Sequence, residues 1–156
     1  MPLGVDIPVK EVQRYMGYRG IVDIAPDVQA KISKAIDMLG AQSHPRIVTK
    51  EYPVRVRGND ITIYNDTEEI VLTSESLARN LKGCCGAILL AATIGPACDM
   101  LVRRASVTSS ADASIYQAAG AAAIEAFLDD QNAKLERIRG TGALFKAPFL
   151  ARLRRS

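Results

Sequence analysis

A single domain mixing helices with β-strands is the fold this sequence predicts, on three observations. Between Ile47 and Tyr64 apolar residues recur at every second position, the period of a half-buried strand, broken once by Gly58-Asn59-Asp60. From Pro26 to Leu39, and again after Ser109, the period lengthens to that of a helix. At 156 residues the chain suits one domain, which at that size buries roughly 70% of the surface its unfolded form exposes.

Each element has its own signal. Pro8 to Met16 reads as a short amphipathic helix with Val9, Val12 and Met16 on one side and Gly17 past its end. Pro26 stands at the first position of a second helix, whose face is Val28, Ile32, Ala35, Ile36 and Leu39 and whose stop is Gly40. Val54-Arg55-Val56-Arg57 and Ile61-Thr62-Ile63 form a hairpin around a Gly-Asn turn, with Arg55 and Arg57 as its solvated face. Glu69 to Leu72 is a short strand. Ser74 or Ser76 caps a helix carrying Leu77, Ala78 and Leu81 that closes at Gly83.

Cys84 to Ile94 reads as a buried central strand. Gly95-Pro96 opens the next helix, with Asp99 in its first turn and Arg103-Arg104 in its last, where the helix dipole favours each sign of charge. Ser109-x-x-Asp112 resembles a capping box for the longest helix, which runs to about Lys134. Its narrow face is Ile115, Ala118, Ala119, Ala122 and Ala126. Small side chains there, with Gly120, let another backbone approach closely.

Composition narrows the function classes. Hydrophobic residues make up 48% and charged residues 24%, ordinary for a globular protein, and no apolar stretch has the length of a membrane span. The N-terminus has neither the basic nor the apolar segment of a secretion signal, so a cytoplasmic location is expected. Cys84, Cys85 and Cys98 form no C-x-x-C pair, and the single histidine, His44, precedes Pro45 in a loop. No metal site or disulfide framework is expected, and the thiols read as packing groups. Residues 137 to 156 hold six basic residues and no acid, so the net charge of +3 belongs to the tail and the rest of the chain is net acidic.

No group of residues announces catalysis. The adjacent acids Glu68-Glu69 and Asp129-Asp130 diverge instead of converging on a substrate. There is no G-x-G-x-x-G after a strand, no P-loop and no nucleophile elbow. The remaining binding candidates are Thr93 and Gly95, at a strand end before a helix N-terminus where an anion would be met by backbone N–H groups, although turn geometry explains both equally well.

Several separated motifs occur in an order few families share. They are Glu11-Val12-Gln13-Arg14-Tyr15-Met16-Gly17-Tyr18-Arg19-Gly20, Ser74-Glu75-Ser76-Leu77-Ala78-Arg79-Asn80-Leu81-Lys82-Gly83-Cys84, Ala91-Ala92-Thr93-Ile94-Gly95-Pro96, and the small-faced helix through Gln117-Ala118-Ala119-Gly120-Ala121-Ala122-Ala123-Ile124-Glu125-Ala126. Together, from residue 11 to about 134, they resemble the activation region of vitamin B12-dependent methionine synthase in its short stand-alone form. That resemblance implies an α+β fold, a twisted antiparallel sheet with flanking helices. It implies S-adenosylmethionine as ligand, partner-bound cobalamin as the group served, and two kinds of partner, a cobalamin-binding methionine synthase subunit or other corrinoid protein and a flavodoxin-like electron donor. The implied activity is repair: an electron and a methyl group return cob(II)alamin to methylcobalamin.

The chain departs from that family after the long helix. The family's signature R-x-x-x-G-Y, in a run such as L-R-P-R-F-S-P-G-Y-G-D, has no in-frame counterpart. Back-translated and read one base later, however, the codons from Phe145 onward permit that run, and those from Arg137 permit E-Y-A-E-R-G-L-Y before it. Only the middle bases are free to choose in such a reading. The expectation is therefore a partial activation domain over residues 1–136, lacking its C-terminal strands, followed by an out-of-frame basic tail over 137–156. Cofactor-binding residues are then absent in frame, and no catalytic residue is carried over. The alternative is a non-catalytic interaction domain that docks a partner on its small-faced helix and an acidic or nucleic-acid surface on its tail. Nucleic acid is the less favoured of these, because the tail's aromatics are only Phe145 and Phe149.

Overall fold

The computed structural model describes residues 3–20 and 24–139. It has an α+β fold, with helices α1 (Val9–Tyr15) and α2 (Pro26–Gln42), strands β1 (Arg46–Arg57), β2 (Asp60–Tyr64) and β3 (Glu69–Thr73), helix α3 (Glu75–Asn80), strand β4 (Gly86–Thr93), and helices α4 (Ala97–Ser106) and α5 (Ser110–Arg139). The four strands form one antiparallel sheet in the order β3-β2-β1-β4. The described residues divide into two compact units, those within 1–47 with 92–131, and those within 48–91 with 132–139. Among the described residues no helix is long and apolar enough to cross a membrane.

The first unit is helical and has its own core. Val12, Ile32 and Leu39 are fully buried, packed with Leu101, Ile115, Phe127 and a run of alanines on α5. α1 begins after Pro8 and is capped by Met16, just before Gly17, whose φ of 93° lies in the left-handed region. α2 starts at Pro26 as expected but does not stop at Gly40. It continues to Gln42, because Gly40 keeps a helical backbone, its carbonyl accepts the Leu3 N–H at 3.1 Å, and the buried Ser43 closes the helix with its N–H on Leu39 O at 2.9 Å.

α5 opens at Ser109, whose Oγ accepts the Asp112 N–H at 3.1 Å. The reciprocal half of a capping box is replaced by an ion pair, with the Asp112 carboxylate accepting from Lys31 Nζ of α2 at 2.8 Å. The helix passes Lys134 and reaches Arg139. Its buried stripe holds Ile115, Ala118, Ala119 and Ala122 as the spacing predicts, leaves Ala126 half-buried, and adds Ala123 and Phe127. The stripe is wider than one helix face because neighbours approach from several sides: Tyr15 of α1 meets Glu125, Met38 of α2 meets the Tyr116 hydroxyl, and Cys98 of α4 meets Gly120.

In the second unit, Arg57 opposes Asp60 across a two-residue turn in which Gly58 takes φ 59°, so the Gly-Asn hairpin forms where the alternation places it. Val54, Ile61 and Ile63 are buried with Ala78 of α3, while Arg55 and Arg57 face solvent. Ser74, not Ser76, caps α3, its Oγ accepting the Leu77 N–H at 3.3 Å.

β4 corrects an expectation. It is an edge strand, not a central one, and its residues are mostly half-buried or exposed, Leu89 being 46% exposed. A continuous apolar run marks a strand covered on both faces only when the neighbouring strands and helices are there to cover it. Among the described residues β4 pairs with β1 alone.

Candidate functional site

Thr93 and Gly95, the two binding candidates, lie in the turn between β4 and α4. Thr93 ends the strand, Ile94 is buried, and Gly95 reverses the chain at φ 85° before Pro96 and the first turn of α4. The Gly95 N–H donates to Thr93 Oγ1 at 3.0 Å. The Gly95 N–H is thus spent on Thr93 Oγ1, which accepts it. A methyl group on Gly95 would lie 3.2 Å from the carbonyl oxygen and 3.3 Å from the backbone nitrogen of His44, whose N–H donates to Ile94 O at 2.9 Å. The Asp99 carboxylate occupies the first turn of α4 and supplies the negative charge that helix end favours. The geometry is that of a tight turn closed by its own hydrogen bond.

The E-V-x-R-Y-x-G-Y-R-G motif builds a second cluster. On α1 the Arg14 guanidinium bonds Glu11 at 2.6 Å and lies 4.6 Å from the centre of the Tyr15 ring. It also reaches Glu125 Oε2 of α5 at 3.1 Å, while the Tyr15 hydroxyl donates to the other Glu125 oxygen. Glu11 raises Arg14 above its ordinary value, so the guanidinium stays charged. Sequence reasoning missed Glu125 as the partner of this motif. The signal was present, since Glu125 is the only charged residue between Asp112 and Asp129 in a helix otherwise dominated by small and apolar side chains.

No protein-family model matches the chain, and no curated protein matches it. Among the described residues no group of His, Cys, Asp and Glu is placed to hold a metal ion. Asp129 is exposed, whereas the half-buried Asp130 accepts from Gln131 Nε2 at 3.0 Å and borders an open surface dent with Gly4, Val5 and Asp6. Such a dent does not exclude water from a ligand. Residues 140–156, which hold Phe145, Phe149 and most of the basic tail, lie outside the described residues.

The cysteines separate by environment. Cys98 is half-buried between α4 and α5, its thiol 3.6 Å from Tyr116 O. Burial, and secondarily the charge of Asp99, pushes this thiol up, which keeps it protonated and unreactive at neutral pH. Cys85 is exposed and Cys84 half-exposed. Iodoacetamide at mildly alkaline pH is expected to label Cys85 first and Cys98 only after denaturant is added, as read by mass spectrometry of tryptic peptides. Early labelling of Cys98 in the native protein would contradict its packing role.

Proposed function

We propose that this chain is a cytoplasmic relative of the activation component of cobalamin-dependent methionine synthase whose ligand clamp is encoded out of frame beyond Glu136. One observation carries the reading. The family-like motif of residues 11–20 and the small-residue helix α5, far apart in sequence, meet through Arg14, Tyr15 and Glu125. A motif used in this way is a structural frame for a domain and not a reacting centre. When present, the implied cobalamin supplies the methyl-transfer chemistry on the partner protein, and this component supplies orientation and holds S-adenosylmethionine.

The described residues do not fit that ligand. The Gly95 N–H of the Thr93–Gly95 turn is spent internally, and the R-x-x-x-G-Y spacing does not occur among them. No step is therefore assigned to a residue of this chain. Calorimetric titration of the 156-residue protein with S-adenosylmethionine is expected to give no micromolar binding, and a protein translated from codons read one base later after Glu136 is expected to bind. Micromolar affinity in the 156-residue chain would overturn the loss of the clamp. Absence of binding in the reframed chain, shown to be folded, would overturn the family reading. Gene sequencing across the same codons is a separate check, because middle bases incompatible with L-R-P-R-F-S-P-G-Y-G-D remove the frameshift.

A further inference from the structure

β3 ends the sheet, and every one of its five residues is exposed. Ile70, Val71 and Leu72 stand at 43%, 59% and 41% exposure, an unusual amount of apolar surface for one short strand. The direction of its backbone groups follows from the ladder with β2. Ile61 opposes Leu72 and Ile63 opposes Ile70, while the Ser74 N–H donates to Asn59 O at 2.8 Å and the Asn65 N–H to Glu68 O at 2.9 Å. Hydrogen-bonded pairs alternate in an antiparallel ladder, so Glu68, Ile70, Leu72 and Ser74 turn their backbone groups toward β2. Glu69, Val71 and Thr73 turn theirs outward, where no other strand of the described residues follows.

Natural edge strands are blunted by charged side chains, above all lysine, by proline or by a bulge; β3 has no lysine, proline or bulge, and its one charge, Glu69, stands at its first position. We infer that β3 pairs with β3 of a second copy of this chain, antiparallel, about a two-fold axis through Val71. In that register Val71 bonds its own equivalent and Glu69 opposes Thr73, so the outward backbone groups of both strands meet one another. Ile70 lies beside the other copy's Leu72 on one face, burying two exposed aliphatic pairs.

The side chains of β3 suit a second copy in this register, which makes both apolar pairs. Each acid of the edge opposes a hydroxyl, Glu69 facing Thr73 and Glu68 facing Ser74, so no two carboxylates come together although the edge is acidic. A slip of two residues one way sets Glu68 against Leu72. A slip the other way sets Ile70 against Ser74, and either slip makes one apolar pair, Ile70 with Ile70 or Leu72 with Leu72, in place of two.

Sedimentation equilibrium of the 156-residue protein over a concentration series is expected to show a reversible dimer. Val71→Pro removes an N–H that β2 does not use, so it should spare the β2–β3 ladder and weaken the dimer about tenfold or more, the size of two lost backbone bonds. Far-UV circular dichroism reports whether that variant folds. Independently of any variant, hydrogen exchange at the amides of Glu69, Val71 and Thr73 should slow as protein concentration rises. A monomer at all concentrations would overturn the proposal, as would a dimer indifferent to V71P in a folded variant. Protection at these three amides that does not depend on concentration would overturn it too, since it would mean that the chain covers its own edge.

Discussion

Gly120→Ala is expected to destabilise the protein, although alanine is the better helix former. Gly120 lies in the middle of α5, where alanine would ordinarily gain about 1 kcal/mol in helix propensity. Here an added Cβ would collide with Cys98 Sγ, well inside contact distance of the sulfur, and stand 3.4 Å from Cys98 Cβ. Cys98 has one rotatable bond and sits on the rigid frame of α4, so relief requires a new rotamer in a packed site or a shift of α4. Overpacking costs about 1–3 kcal/mol, and a clash this deep lies at the upper end, about 2–3 kcal/mol, so that a net loss of about 1–2 kcal/mol remains after the propensity gain. For a chain of this size the melting temperature should fall by roughly 2–8 °C. Cys98→Ala removes the sulfur, so the double variant is expected to recover most of that loss, a coupling that a calorimetric double-mutant cycle would read directly. If G120A alone melts at or above the parent, the helices are not in the close contact described.

That contact shows what kind of feature is legible in a sequence. A glycine within an alanine-rich helix announces a close approach, because nothing else offsets its cost. The partner, twenty-two residues away on α4, announces nothing, since a half-buried cysteine looks the same wherever it packs. Helix starts were equally legible: Pro26, Ser74 and Ser109 act through groups within a turn of themselves, and each begins a helix. The end of α2 was not, because the groups that decide it, the Leu3 N–H and the burial of Ser43, belong to chain that Gly40 cannot signal.

The same division holds at the level of the sheet and the candidate site. The hairpin of β1 and β2 is local and its register follows from the Gly-Asn turn. The place of β4 at the sheet edge depends on which strands pair, and an apolar run such as Ala87 to Ile94 is compatible with either position. Thr93 and Gly95 were legible as a turn at a strand end. Whether their polar groups face outward or bond each other is a matter of backbone geometry, and the structure has them bonding each other. Glu125 was legible only as an isolated charge, because its partners Arg14 and Tyr15 are over a hundred residues earlier.

Gly95→Ala tests whether that turn is structural, and its effect is expected to exceed that of the Gly120 change. Two costs add. The left-handed conformation at φ 85° is about 1–2 kcal/mol less favourable for a residue with a Cβ than for glycine. The new methyl would also press on the His44 carbonyl and amide, at 3.2 and 3.3 Å, and these are backbone atoms with no rotamer to turn aside. Moving them strains the bond from the His44 N–H to Ile94 O, which ties the link after α2 to the end of β4. The sum is about 2–4 kcal/mol, or a fall of roughly 5–15 °C in melting temperature. A companion change separates this role from ligand binding. Thr93→Val removes the acceptor for the Gly95 N–H while leaving the backbone path open, so it should cost only about 0.5–1.5 kcal/mol, because the site is exposed and water replaces the lost bond. If the turn exists to hold the chain, stability should follow Gly95 far more steeply than Thr93. Equal and small losses for the two variants would mean that the close packing on His44 is not what this glycine is for.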